Sequence, residues 1–387
     1  MQNLLVILGI IALLVTILLI YIKINLKPIS PQKAKENINK VLKKELEKGK
    51  NISGIQLLIQ SEEKNFSEKF IFDRKGNKDI PFHVASVGKS FTAALIGILV
   101  EEGKLNFEDR IINHLDSSML EGLFVYRGKD YMGEVTVRHL LGHTSGVADY
   151  FEDKAEGSAN IRELILSEKD RIWKPEDFLD FSRKYQKVHS APGERYHYSD
   201  TGYILLGLLI EKLSGKSLDE MLHERIFKPL NMNYSYLMFY SRPLNGNTEI
   251  NEIWFDGKEV SNYNSLSVDW AGGGIVSTLD DLKIFVKALN NYELISRKTL
   301  EKMYSFDNKF VTGIHYGLGF MEYRFKEYFP TLSFLPSIKG HMGIFGVHMF
   351  YDKKTGTTVI MNCGSTDYAS KSVKLMIQVL VNVFRIR

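Results

Sequence analysis

Ser86 and Lys89 stand three residues apart in His83-Val-Ala-Ser-Val-Gly-Lys-Ser90. The apolar run that follows, to Gly103, predicts a helix, and residues at i and i+3 share one helical face. A hydroxyl and an amine so placed suit a serine nucleophile that exchanges its proton with a neighbouring amine. A second cluster, Pro192-Gly-Glu-Arg-Tyr-His-Tyr-Ser-Asp200, brings Tyr198 and Asp200 to one side of an extended stretch. A phenol ordinarily titrates near 10. An ammonium such as Lys89 beside Tyr198 would favour the phenolate and make it a usable base. Asp200 also occupies the N-cap position of a helix that begins at Thr201, where Asp is a preferred residue. A third stretch, Gly340-His-Met-Gly-Ile-Phe-Gly346, opens a strand with glycines that permit close approach of the backbone. Two backbone N–H groups aimed there at one oxygen would form an oxyanion hole, an interaction worth about 2.7–4 kcal/mol per donor.

Rival chemistries fail on single residues. Gly88-Lys-Ser90 resembles the end of a phosphate-binding loop, but the required glycine at position 83 is His83. His139 and His143 have the i, i+4 spacing of a zinc pair, yet Leu140 stands where the catalytic Glu would be. Packed or hydrogen-bonded imidazoles at a helix end account for them. Lys354-Thr-Gly356 reads as a turn between strands. Cys363, the only cysteine, excludes an internal disulfide and fits a small buried residue after an apolar strand.

The elements that must position these residues follow from hydrophobic periodicity. Gly54–Gln60 and Lys69–Asp73 read as strands near the start, and Tyr316–Tyr323, His341–Tyr351 and Thr357–Asn362 as strands near the end. Between them the pattern is helical, over Val135–Gly142, Glu176–Tyr185, Thr201–Leu213 and Leu218–Phe227. A closing helix over Asp367–Phe384 presents Val373, Met376, Ile377, Leu380 and Phe384 on one face. The predicted fold is therefore α/β (α+β), an antiparallel sheet assembled from both termini with a mainly helical insert. The sheet part covers 50–105 and 270–387, and the insert 106–269.

The 387 residues are 44 % hydrophobic and 25 % charged with a formal net charge of +4, which describes an ordinary folding chain. No basic stripe supports nucleic-acid binding. Leu4–Ile22 is an uncharged apolar run close to the roughly 20 residues that span a bilayer. Residues 1–27 are thus expected to form an uncleaved single-pass anchor, followed by a linker and basic amphipathic helix over 28–49. Lys23, Lys27, Lys33 and Lys35 all follow the run, a distribution that by itself favours a cytoplasmic domain. Long domains translocate largely regardless of it, and the expected location is extracytoplasmic.

Six ordered motifs carry a resemblance. They are Ser86-Val-Gly-Lys89, Thr136-Val-Arg-His-Leu-Leu-Gly-His-Thr-Ser-Gly146, Pro192–Asp200, Ala271-Gly-Gly-Gly-Ile-Val-Ser-Thr278, Tyr316-Gly-Leu-Gly-Phe320 and Gly340-His-Met-Gly343. Together they resemble the class C β-lactamase-related serine hydrolases, which include D-alanyl-D-alanine carboxypeptidases, D-aminopeptidases, esterases and penicillin-binding proteins. The resemblance spans roughly 35–385 and implies a β-lactamase/transpeptidase-like fold. It implies Ser86 as the acylated nucleophile, Lys89 as its proton acceptor, Tyr198 as general base or acid, and His341 at the head of the third motif. It further implies substrate contacts from Asp200, Gly343 and Ile344, with the N–H groups of Ser86 and Ile344 forming the oxyanion hole. No metal or organic cofactor is implied, and the partner is a small-molecule or peptide substrate. Asp200 replaces the family's amide and Met342 its hydroxyl. Both changes weaken recognition of a substrate carboxylate and favour D-amino-acid peptides or esters. Acyl and leaving-group preferences fall to Glu121–Ile172 and the loops of Leu244–Asn264.

Overall fold

In the computed structural model, which describes residues 27–387 apart from positions 75, 77 and 247, one sheet draws its strands from both ends of the chain. The strands are β1 (Gly54–Ser61), β2 (Phe66–Asp73), β3 (Asn308–Val311), β4 (Ile314–Tyr316), β5 (Met321–Tyr323), β6 (Ile338–Gly343), β7 (Val347–Asp352) and β8 (Thr357–Asn362). Their order is β3–β4–β5–β6–β7–β8–β1–β2, antiparallel throughout. The helices that frame the site are α1 (Pro31–Lys48), α2 (Gly88–Glu101), α3 (Val137–Leu141), α4 (Pro175–Tyr185), α5 (Asp200–Ser214), α6 (Leu279–Asn290) and α7 (Lys371–Phe384).

Strand alternation sorts β1 between two cores: Ile55, Leu57 and Ile59 face α1 and α7, while Leu58 joins the core on the opposite face. Helix α1 starts at Pro31 behind the Ser30 cap and buries Ala34, Ile38 and Leu42, spaced four apart. The basic helix is therefore a packed layer of the domain, with its lysines on the outer side. On the other sheet face lie α6 and the helical region. Helices α2 and α5 are apolar nearly all round and buried accordingly. Between them sits the turn Trp270–Gly273. A Cβ on Gly207 of α5 would fall 2.6 Å from the Ala271 Cβ, so the approach requires glycine there. This wedge fixes α2 against α5, the two elements that begin at the candidate catalytic residues.

Several sequence-based expectations change. Tyr316–Tyr323 is two strands, β4 and β5, joined by a turn in which the Gly317 N–H donates to the Phe320 carbonyl (2.9 Å) and Gly319 has φ +85°. His341–Tyr351 is likewise the β6–β7 hairpin, turned at Gly346, which has φ +70° and donates to the Gly343 carbonyl. Apolar residues run through both turns, so periodicity alone does not reveal them. Leu218–Phe227 is a short α-helix to Leu222 followed by a π turn over His223–Phe227. The buried face of α7 carries Leu375, Met376, Val379, Leu380 and Val383, with Val373, Ile377 and Phe384 at its flanks. Thr357–Asn362 lies as expected, and Asp352–Thr357 turns through Lys354-Thr-Gly356. The apolar run Leu4–Ile22 lies outside the described residues; among those described, no helix is long and apolar enough to cross a membrane.

Candidate active site

The chain reaches Ser86 through the two-residue strand Phe82–His83 and a 3-10 turn over Ala85–Val87, so the serine precedes α2 rather than lying within it. Ala85 takes φ +49°, a left-handed conformation that costs a non-glycine residue of order 1 kcal/mol. Its N–H donates to His83 Nδ1 (3.2 Å), and the Val84 N–H to the Ile275 carbonyl (2.9 Å), which together hold the turn. Ser86 thus projects into a cavity of about 720 Å³.

Lys89 lies one turn on, with Nζ 3.3 Å from Ser86 Oγ. Its side chain is 1 % exposed, and its other two donors reach the Gly272 carbonyl (2.8 Å) and the Asp200 carboxylate, itself 8 % exposed. Asp200 is therefore a buried counter-ion. Ser199 occupies the N-cap position of α5, and Asp200 begins the helix with its side chain turned to Lys89, a correction to the capping role. Tyr198 stacks on the His143 ring (centroids 4.2 Å apart) and lies under Lys89, whose Nζ is 5.1 Å from the phenol centroid. Burial, followed by repulsion from Asp200, raises the Tyr198 phenol well above its ordinary pKa, while its hydrogen bond with Ser86 opposes the rise. Tyr198 is accordingly a neutral phenol, where the sequence favoured a phenolate: Asp200 has taken up the ammonium that would have stabilised it.

His341 does not face the cavity. Strand alternation on β6 turns Met342 toward the cavity and His341 into the wall behind it, fully buried. Its Nδ1 donates to the Met342 carbonyl (2.7 Å), which leaves Nε2 to accept from the Tyr316 hydroxyl (2.9 Å). Burial, aided by the nearby Lys89 charge, lowers its pKa to about 3, so the ring is neutral and acts as a positioning residue for β6. Gly343 and Ile344 do line the cavity. A Cβ on Gly343 would fall 2.7 Å from the Val84 carbonyl and 3.2 Å from the Ser86 nitrogen, so β6 passes directly beside the nucleophile turn. That approach brings the third-motif backbone to the Ser86 N–H, as an oxyanion site requires. His139 and His143 each accept a backbone N–H at Nδ1, from Thr136 and Ser199 respectively, and are structural. Cys363 is buried.

The sequence did not reveal the acidic character of the cavity. Asp149, Glu152, Asp153, Asp256, Asp269 and Asp367 line it beside Asp200. Arg162, the one Lys or Arg among its lining residues, is committed to Glu152 (2.7 Å) and Asp256. These acids come from segments more than two hundred residues apart, and only their folding together makes a pattern. Burial and the Asp200 charge push Asp149 well above the usual carboxylate range. The same two causes raise Asp269 to about 7, with Lys89 opposing. His83 lies 3.8 Å from Asp269 but is held neutral by burial, its pKa near 4, and offers no compensating charge.

A pH prediction follows from Asp269. Its folded-state pKa exceeds its unfolded value, so its contribution to stability is present in full below about pH 4 and is lost as pH rises through about 7. Removing the titration by Asp269→Asn is expected to raise the melting temperature relative to wild type progressively between pH 5 and pH 8. A difference between the two proteins that stays constant across that range would show that Asp269 does not titrate there.

Comparison with known proteins places this geometry. The family model described as Beta-lactamase matches residues 43–377. Penicillin-binding protein 4* of Bacillus subtilis (strain 168) is 30 % identical over 247 residues, covering 58 % of this chain and 48 % of the relative. The chain spans less than half the length of the curated relatives it matches. D-amino acid amidase from Ochrobactrum anthropi SV3, solved with L-phenylalanine amide, superposes with a TM-score of 0.71 at 23 % identity, covering 91 % of this chain and 98 % of that one. D-stereospecific amidohydrolase from Streptomyces sp. superposes with a TM-score of 0.70 at 23 % identity, covering 88 % and 97 %. These two structures share the fold.

Proposed function

This chain belongs to the Beta-lactamase family of serine hydrolases, and from that premise we propose that it hydrolyses amides or esters of amine-bearing D-amino acids through an acyl-enzyme on Ser86. The observation that carries the substrate class is the acidic cavity beside Ser86, lined by seven carboxyls and one Arg already paired to two of them, with Asp149 and Asp269 pushed upward in pKa. Burial is the larger cause of these shifts and the Asp200 charge the next, so the cavity gathers carboxyls that its few cations do not fully balance. A substrate ammonium would relieve this imbalance, and a substrate carboxylate would add to it. The named activities of the D-amino acid amidase and the D-stereospecific amidohydrolase agree with this class.

In this reading the Lys89 ammonium passes a proton to Asp200, and the amine so formed accepts the Ser86 proton as Oγ attacks the carbonyl. The N–H groups of Ser86 and Ile344 hold the developing oxyanion. Tyr198, neutral at rest, donates its proton to the leaving nitrogen or oxygen and regains one from Lys89. The serine proton thus ends on the leaving group. Water then repeats the sequence to free the acid and restore Ser86.

Matched substrates test the charge preference: a D-amino-acid amide, its N-acetyl derivative and a dipeptide ending in a free carboxylate. The free amine is expected to be hydrolysed with kcat/KM at least about tenfold above the other two, a difference of roughly 1.4 kcal/mol. Equal or better hydrolysis of the carboxylate-bearing substrate would refute the preference. A second reading, a penicillin-binding protein that acylates without turnover, draws on Asp200 and Met342 standing where the family carries an amide and a hydroxyl. A burst without steady-state hydrolysis of any of the three would favour it. We also propose that Leu4–Ile22 is a single-pass membrane anchor, which the length and apolarity of the run support, and that it holds the domain outside the cytoplasm, against the lysine distribution around it. Protease accessibility in intact cells distinguishes this from a cytoplasm-facing esterase.

A further inference from the structure

We propose that Asp153, His189 and His197 form a binding site for a divalent transition-metal ion, zinc being the ion that suits it. Asp153 lies 36 residues before His189 and His197 eight after it, and the three bring one ligand atom each to within 4.8 Å of the others. Asp153 Oδ2 is 2.7 Å from His189 Nε2 and 2.9 Å from His197 Nε2. The two imidazoles stack face to face, centroids 3.6 Å apart and 25° from parallel, so both Nε2 atoms point the same way.

Hydrogen bonding alone is a poor account of this convergence. Asp153 Oδ2 also accepts the Asp149 N–H at 2.7 Å. Three N–H donors therefore meet on one carboxylate oxygen, which has two lone pairs to offer. The two Nε2 atoms also converge on it from rings stacked on each other, which crowds both onto one edge of the carboxylate. An ion resolves both conflicts. Ligand bonds of about 2.0–2.2 Å imply ligand atoms about 3.3 Å apart around a tetrahedral ion, so the Nε2 atoms retreat from Oδ2 by about half an ångström while the stacked rings swing apart.

The backbone beneath the three ligands is fixed independently of them. Gln186 Nε2 donates to the carbonyls of Asp149 (2.8 Å) and Asp153 (2.9 Å), the His189 N–H donates to the Gly146 carbonyl (2.9 Å), and the His197 N–H to the His143 carbonyl (2.8 Å). Gly146 has φ +80°, and a Cβ there would fall 2.0 Å from the Ser190 carbonyl, so the segment next to His189 has no room to shift. Nitrogen and carboxylate donors of this kind suit zinc and its neighbours rather than magnesium or calcium. Asp153 and His197 lie on the wall of the cavity, which leaves a fourth position for water. The site shares the wall of the Ser86 cavity through Asp153 and His197, but it rests on the placement of its three ligands and not on the proposed reaction.

The test uses the full-length chain in detergent, stripped of metal with EDTA and titrated calorimetrically with zinc chloride near neutral pH. One ion per chain is expected, with a Kd of about 50 µM or tighter, and His189→Ala is expected to weaken binding by roughly 100-fold or more. Cobalt(II) in place of zinc is expected to give visible d–d absorption that His189→Ala abolishes. If His189→Ala fails to fold, His189→Gln serves instead, since it keeps a donor to Asp153 and loses the imidazole. Binding weaker than about 50 µM, or binding unchanged in the variant, would overturn the site.

Discussion

Replacing Ser86 by Ala is expected to lower kcat by about 10⁴- to 10⁶-fold, the scale on which acyl-enzyme hydrolases lose activity without their nucleophile. The same change is expected to abolish covalent labelling by a fluorescent phosphonate, with the wild-type adduct mapping to the peptide that contains Ser86. Stability should change little, because Ser86 lies on the cavity surface and the turn is held by the backbone of Val84 and Ala85. Both readouts are needed. Lost hydrolysis with undiminished labelling would move the nucleophile elsewhere, whereas lost labelling with an unchanged melting temperature isolates Ser86 oxygen as the reacting atom.

Lys89→Met has a different signature. The Lys89–Asp200 pair is buried, and removing one member leaves an uncompensated charge, a change that typically costs about 3–5 kcal/mol. Asp149 and Asp269 crowd the same region and deepen the loss. The single variant should therefore lose both activity and several degrees of melting temperature. Adding Asp200→Asn removes the stranded charge and should recover most of the stability while hydrolysis stays absent. The double-mutant cycle separates the structural part of Lys89 from its chemical part. Recovery of hydrolysis in the double variant would show that Lys89 is not in the proton route.

The juxtaposition of Ser86 and Lys89 was legible in the sequence because its geometry is local. Ser86 and Lys89 are three residues apart, and the helical stretch beyond them keeps Nζ within 3.3 Å of Oγ despite the 3-10 turn at the serine. Tyr198 and Asp200 were found for the same reason. His341 was misjudged because one step along a strand reverses the side that faces the cavity, and only the pairing of β6 with β7 sets that register. Asp149, Asp256, Asp269 and Asp367 were missed because each alone is an unremarkable loop or helix-end carboxylate. Their shared field exists only after four distant segments meet around one cavity. Asp153, His189 and His197 escaped notice likewise, since Asp153 comes from a separate segment and the eight-residue step between the histidines matches no metal-ligand spacing.

The sheet order also has a consequence for the chain as it is made. Strand β1 pairs with β8, more than three hundred residues later in synthesis, and Gly343 of β6 rests against the turn that carries Ser86. A ribosome at work therefore releases Ser86 long before the β6–β7 hairpin that closes against its turn. Until β6 to β8 emerge, α2 and β1 have exposed apolar faces and no completed site, a state open to aggregation and slow to resolve through such distant pairing. The cavity around Ser86 is therefore completed late in synthesis, once the last strands are in place. Truncation anywhere before β8 should yield an insoluble product rather than a weakened enzyme.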